Sequence, residues 1–146
     1  MKLEIKLDDA YTEPKVIVLA AAMTEEVNAL VQRLSESAPQ MIAGFRGDTL
    51  HVLEQTEIFR VYTDGGKVLA ATDQGIYTLR MRLYELEERL DKTRFVRISN
   101  AEIINLKKVK NFDLNIAGSI CVSLLDGSVT YVSRRYVAKI KQVLGV

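Results

Sequence analysis

Few residues of this 146-residue chain could make or break bonds, and the first to consider is its single histidine, His51. A hydrolytic triad needs a nucleophile, a base within hydrogen-bond reach and a group that orients the base, and histidine is the usual base. His51 lies in Leu50-His51-Val52-Leu53 with no partner motif, so an exposed or hydrogen-bonded strand histidine is the expected role. Cys121, the single cysteine, alternates with Ile120 and Val122 and reads as a small apolar filler or an outward thiol. One histidine and one cysteine do not by themselves supply the three or four ligands of a zinc site, and one cysteine makes no internal disulfide. Gly65-Gly66-Lys67 lacks the spacing of a phosphate-binding loop, and Gly44-Phe45-Arg46-Gly47 is not followed by a helical pattern. Glu85, Glu87 and Glu88 could pair as acid and base, but a carboxylate row on one helix face is ordinarily its solvated side. The residues therefore predict no enzyme, no metal, no cofactor and no small-molecule substrate.

Cations are the other source of chemistry, and their distribution matters more than the net charge of +1, because affinity for a polyanion depends on where positive charge lies. Residues 1–58 hold 5 basic and 10 acidic side chains, net −5, whereas residues 59–146 hold 15 and 9, net +6. From Lys92 to Val146 there are 10 basic residues against 3 acidic, net +7. A nucleic-acid-facing C-terminal part follows as one expectation, with an ordinary solvated basic surface as the other. Arg134 and Arg135 sharpen the choice. They open a helical pattern, where two cations oppose the helix dipole, and that placement asks for a functional reason.

The elements that must hold these side chains can be read from periodicity. Leu3, Ile5 and Leu7 alternate with Lys2, Glu4 and Lys6, predicting a strand, and Lys15 to Ala20 reads as a second. Thr24 is placed to cap a helix with Glu25 and Glu26 in its first turn and Val27, Leu30, Val31 and Leu34 as its apolar stripe. Residues 1–40 are thus expected to form a ββα element, and Ser35 to Gln40 marks a boundary. From residue 41 onward short strands are separated by turn signals. Asp64-Gly65-Gly66, Asp73-Gln74-Gly75 and Asp126-Gly127 punctuate the runs Ile58 to Thr63, Lys67 to Thr72, Ile76 to Arg80, Ile120 to Leu125 and Ser128 to Val132. Two helices interrupt them. One runs from about Arg82 to Leu90 with Leu83, Leu86 and Leu90 facing in. The other runs from Arg134 to Leu144, capped by Ser133, with Tyr136, Val137, Ile140, Val143 and Leu144 on its buried side. The fold class is α+β, mainly β. The longest apolar run, Val16 to Met23, falls short of the roughly 20 residues that cross a bilayer, and Met1 to Lys6 lacks the pattern of a secretory signal, so a cytoplasmic protein is expected.

Two segments carry a more specific signal: the run from Phe95-Val96-Arg97-Ile98-Ser99-Asn100 through Ala101-Glu102-Ile103-Ile104-Asn105 to Leu106-Lys107-Lys108-Val109, and Val129-Thr130-Tyr131-Val132-Ser133-Arg134-Arg135-Tyr136. With Leu83-Tyr84-Glu85-Leu86-Glu87-Glu88 before them, they resemble the LytTR domain, over about Glu57 to Val146. The resemblance implies an elongated arrangement of small antiparallel sheets with short helices, occupying residues 41–146. Its loops would enter successive major grooves of double-stranded DNA. It puts Asn100, at a polar corner, and Arg135, beside Arg134, at base-reading positions. Arginine can grip guanine and asparagine adenine, each bidentately. A third family contact falls on the loop Asp64-Gly65-Gly66-Lys67, where Lys67 is the side chain able to reach DNA. Arg97, Lys107, Lys108, Lys110, Lys139 and Lys141 would grip phosphates, which positions a protein without choosing a sequence. Asn105 reads as structural.

The implied function is that of a bacterial transcription regulator acting as a homodimer on repeated promoter sites, with residues 1–40 as a dimerisation or regulatory element. About 55 residues ahead of the domain are too few for a phosphate-accepting receiver domain, at typical domain sizes of roughly 100–150. Some stand-alone regulators of this type are associated with a membrane-bound inhibitor, which the resemblance offers as a partner. The rival reading is a protein-interaction module whose exposed strands pair with another chain, its basic surface being incidental.

Overall fold

A computed structural model describes residues 1–37, 41–114 and 118–146. In chain order its elements are α1 (Glu25–Ser37), β1 (Ile42–Arg46), β2 (Thr49–Leu53), β3 (Ile58–Asp64), β4 (Lys67–Thr72), β5 (Gly75–Leu79), α2 (Leu83–Arg89), β6 (Phe95–Ser99), β7 (Glu102–Asn105), β8 (Val109–Asp113), β9 (Ile120–Leu124), β10 (Val129–Val132) and α3 (Arg134–Leu144). The chain divides into two compact units, Met1–Ser37 and Ala38–Val146.

Within the second unit all strand pairing is antiparallel, as short connections demand. One sheet has seven strands in the order β2-β1-β5-β4-β3-β7-β6, and a second has three in the order β10-β9-β8. Turn chemistry fixes the register. Gly65 and Gly66, at φ 58° and 79°, form the two-residue turn that pairs Asp64 with Lys67, a geometry that needs positive φ at both positions. Adjacent residues on a strand point to opposite faces, so the seven-stranded sheet is a wall between two cores. Ile42, Leu53, Val61, Leu79 and Ile103 bury one face with Leu83, Leu86 and Leu90 around α2. Phe59, Val96, Ile98 and Ile104 bury part of the other, joined by Ile120, Val122, Leu124 and Ile140 of the three-stranded sheet and α3. The switch between cores occurs within the neighbours Ile103 and Ile104.

Two buried polar residues lock the sheets. The Glu102 carboxylate accepts from Thr130 Oγ1 at 2.8 Å and from Arg60 Nη1 at 3.2 Å, tying β7 to β10 and β3. Asn105 is fully buried; its Nδ2 donates to the Ile58 carbonyl at 2.9 Å and its Oδ1 accepts from the Lys107 N–H at 3.0 Å. Asn105→Ala leaves both backbone groups without that partner, and each unsatisfied buried group costs roughly 1–3 kcal/mol. Urea unfolding should therefore show a loss of about 2–4 kcal/mol; a loss within experimental error would show that water replaces the amide.

Three expectations of local structure need correction. Thr24 caps α1 as its sequence position suggests, its Oγ1 accepting from the Val27 N–H at 3.3 Å. However, neither Leu3 to Leu7 nor Lys15 to Ala20 forms a strand, so the N-terminal unit holds a helix without the two expected strands. Leu3, Ile5 and Leu7 are 90%, 75% and 94% exposed. Alternation marks a side that would be buried if a partner strand were present, and among the described residues none pairs with it. On α3, Ser133 occupies the N-cap position but its hydroxyl makes no capping bond, and Val143 is exposed rather than buried. Among the described residues no helix is long and apolar enough to cross a membrane.

Candidate nucleic-acid interface

β6 and β7 form a hairpin in which Ser99 faces Glu102, so Asn100 and Ala101 are its turn. The turn is held from within. Arg97 Nε donates to the Ser99 carbonyl and Arg97 Nη2 to the Asn100 carbonyl, both at 2.7 Å, while the Ala101 N–H donates to Ser99 Oγ at 3.1 Å. Arg97 Nη1 reaches Glu87 Oε2 on α2 at 2.6 Å. The arginine expected to grip a phosphate thus has all three nitrogens engaged inside the protein, with its side chain 13% exposed. It is a clamp on the corner. Glu87 is accordingly part of that clamp and not merely the solvated side of α2.

Two further elements meet the corner. The Thr63 N–H, at the end of β3, donates to the Ala101 carbonyl at 2.9 Å, which brings the Gly65-Gly66 turn and exposed Lys67 to the same end of the sheet as Asn100. The Ser133 N–H donates to the Ile98 carbonyl at 2.9 Å, and Tyr136 Oη donates to Asn100 Oδ1 at 3.2 Å. The first turn of α3 is therefore fastened to the corner, with Asn100, Arg134 and Arg135 all exposed. Arg134 lies against Gly118, where an added Cβ would come 3.3 Å from its Nε. Lys139 follows Arg135 by one helical turn on the same flank, whereas Lys141 lies on the flank of Arg134.

The remaining lysines are not brought together with this corner. Lys107 and Lys108 follow Asn105, at the opposite end of β7 from Asn100. Lys107 is exposed, Lys108 stands over the Phe59 ring at 4.9 Å, and Lys110 is exposed on β8. Conversely, Arg80 and Arg82 lie outside the expected set. With Thr63, Lys67, Tyr84 and Arg97 they line one groove, and Arg80 stacks over Phe45 at 3.8 Å. Their signal in the sequence is a pair of cations flanking Met81, which a basic excess counted from Lys92 onward leaves out. His51 is half-buried beside Tyr77, ring centroids 5.2 Å apart, and Cys121 is a half-buried free thiol. Both lie on strands, His51 on β2 and Cys121 on β9, as expected.

The polar hairpin corner, the glycine turn and the arginine-led helix start thus share one end of this antiparallel β domain. The model of the LytTr DNA-binding domain matches residues 48–145, and the chain belongs to that family. The match starts ahead of the resemblance read from sequence, at the turn between β1 and β2. The chain is 29% identical to an uncharacterized HTH-type transcriptional regulator of Staphylococcus aureus strain MSSA476, over 100% of this chain and 99% of the relative. It is 28% identical, with the same coverage, to one so named from strain MRSA252. A solved LytTr DNA-binding domain from Bacillus cereus superposes with a TM-score of 0.70 at 19% identity, covering 73% of this chain and 97% of that one. In the present chain strands separate all three helices, so the described residues contain no helix-turn-helix.

Proposed function

We propose that this chain is a cytoplasmic transcription regulator that binds double-stranded DNA sequence-specifically, two copies occupying a repeated promoter site. The observation that carries the reading is the hydrogen bond from Tyr136 to Asn100, which couples the hairpin corner to the helix start. A hydroxyl donating to Oδ1 fixes the amide's orientation, leaves the Nδ2 hydrogens for an acceptor such as adenine N7, and leaves Oδ1 a second lone pair for adenine N6–H. Arg135 beside it reads guanine, with Arg134 as its neighbour at the groove edge. Lys67 adds a contact from the β3–β4 turn. Lys139, Lys141, Lys107, Lys108 and Lys110 hold phosphates, and the uncapped amides at the start of α3 offer donors to another.

Selection of bound sequences from a random DNA pool, followed by salt titration on the winner, tests this. Phosphate contacts release counterions, so log affinity should fall linearly with log salt, with a slope of about −0.9 per phosphate neutralised. Lys141→Ala should lower that slope by about 1 and weaken all DNA alike. Failure to bind any duplex at low salt would overturn the reading in favour of a protein-interaction module.

A further inference from the structure

The N-terminal unit leaves an alternating apolar row unused, and its charges select a partner. Leu3, Ile5 and Leu7 are almost fully exposed, while Lys2, Glu4, Lys6 and Asp8 occupy the intervening positions. Lys6 Nζ lies 3.8 Å from Glu4 Oε1, so these two charges share one side of the segment. Asp8 ends the row: its Oδ1 accepts from the Ala10 N–H at 2.9 Å and its carbonyl from the Tyr11 N–H at 3.2 Å. Such a row gains backbone partners and cover for its apolar side when another strand is added. A second copy of the same chain can pair antiparallel with it in a limited number of registers.

Centred on Glu4, the pairing opposes glutamate to glutamate and Lys2 to the partner's Lys6. Centred on Lys6, it opposes lysine to lysine and Glu4 to the partner's Asp8. A parallel in-register pair opposes every charge to itself. Centred on Ile5, Lys2 faces the partner's Asp8, Glu4 faces the partner's Lys6, Leu3 faces the partner's Leu7, and Ile5 meets the partner's Ile5 on the two-fold axis. Every charge then faces its opposite and every apolar residue an apolar one, on opposite sides of the ribbon. Opposite charges across a strand pair stabilise it and like charges destabilise it.

We infer that residues 2–8 form the dimer contact of this protein, as a two-fold antiparallel strand pair centred on Ile5. The inference deepens the two-copy reading above and rests on it. A two-stranded ribbon is marginal alone in water, and exposed Val16, Ile17 and Leu19 supply further apolar surface in the same unit.

Charge reversal tests the register in the full-length chain. Glu4→Lys sets a lysine against the partner's Lys6 at two places, and Lys6→Glu sets a glutamate against the partner's Glu4 at two places. Each variant should therefore dimerise on the order of tenfold more weakly than wild type. Mixed together, the two are complementary at both positions and should form a heterodimer, measured by sedimentation. In a Cys121→Ser background, Ile5→Cys should cross-link on oxidation, since facing residues place their Cα atoms roughly 4.5–5.5 Å apart, within disulfide reach. Leu3→Cys alone should not cross-link, whereas Leu3→Cys mixed with Leu7→Cys should. A wild-type chain that stays monomeric, a mixture no more dimeric than its parts, or Leu3→Cys linking as fast as Ile5→Cys overturns the inference. Duplex binding by the wild-type chain is measured alongside. Its presence in a wild type that stays monomeric sinks only this contact, and its absence sinks the DNA reading while leaving the dimer measurable.

Discussion

Alanine at Asn100 or at Arg135 should lower affinity for the selected DNA by roughly 5- to 150-fold each, the equivalent of about 1–3 kcal/mol for one bidentate base contact. Both side chains are exposed, so thermal unfolding should barely move, and the loss is one of recognition. The two variants differ on non-specific DNA. Asn100→Ala removes no charge and should leave random-sequence binding intact, whereas Arg135→Ala removes a cation near phosphates and should weaken it modestly. Tyr136→Phe provides an internal control: the half-buried ring stays, but the hydroxyl that orients the amide is gone. Its loss should be smaller than that of Asn100→Ala and confined to the same base position. Fluorescence anisotropy with the selected site and single-base variants of it measures all three. Undiminished selectivity in folded Asn100→Ala and Arg135→Ala proteins would remove the corner from the reading surface.

The parts of this molecule legible in its sequence are those decided locally. The span of α3, Arg134–Leu144, follows from its apolar stripe, and the β3–β4 turn from two glycines free to adopt positive φ. Asn105 is readable as structural because a strand-end asparagine can bond to backbone. What is not legible depends on partners distant in sequence. Leu3 to Leu7 alternate as a strand should, but pairing is decided by a second strand, and the described residues of the single chain provide none. Arg97 looks like any surface cation until the fold brings Glu87 and two corner carbonyls around it. Lys107 and Lys108 follow the corner closely in sequence, yet the four-residue β7 carries the chain to its far end. A hydroxyl at Ser133 satisfies the composition of a cap without the orientation of one. The coupling of Asn100 to Tyr136, separated by 36 residues, has no signature in either segment alone.

Arg97 separates a positioning role from a contact role by experiment. Its guanidinium holds Glu87 and the carbonyls of Ser99 and Asn100, and hydrogen bonds to charged groups contribute roughly 1.5–3 kcal/mol each at most. Arg97→Ala should therefore cost about 2–4 kcal/mol of stability in urea unfolding, after allowance for partial exposure and relaxation of the turn. Below the unfolding threshold the freed corner should also lose sequence selectivity to nearly the extent of Asn100→Ala. The salt slope should stay unchanged, because no phosphate contact has been removed; a direct contact would instead lower it by about 1. Arg97→Lys is the sharper test. Lysine keeps the charge but is a point donor that cannot fork between a carboxylate and two carbonyls, so it should fail to restore either stability or selectivity. Glu87→Ala, which removes a negative charge, should weaken selectivity in the same direction, although repulsion from DNA falls. Full rescue by lysine together with a lowered slope in Arg97→Ala would return Arg97 to the phosphate-binding set, and the corner would then be held by Ser99, Thr63 and Tyr136 without it.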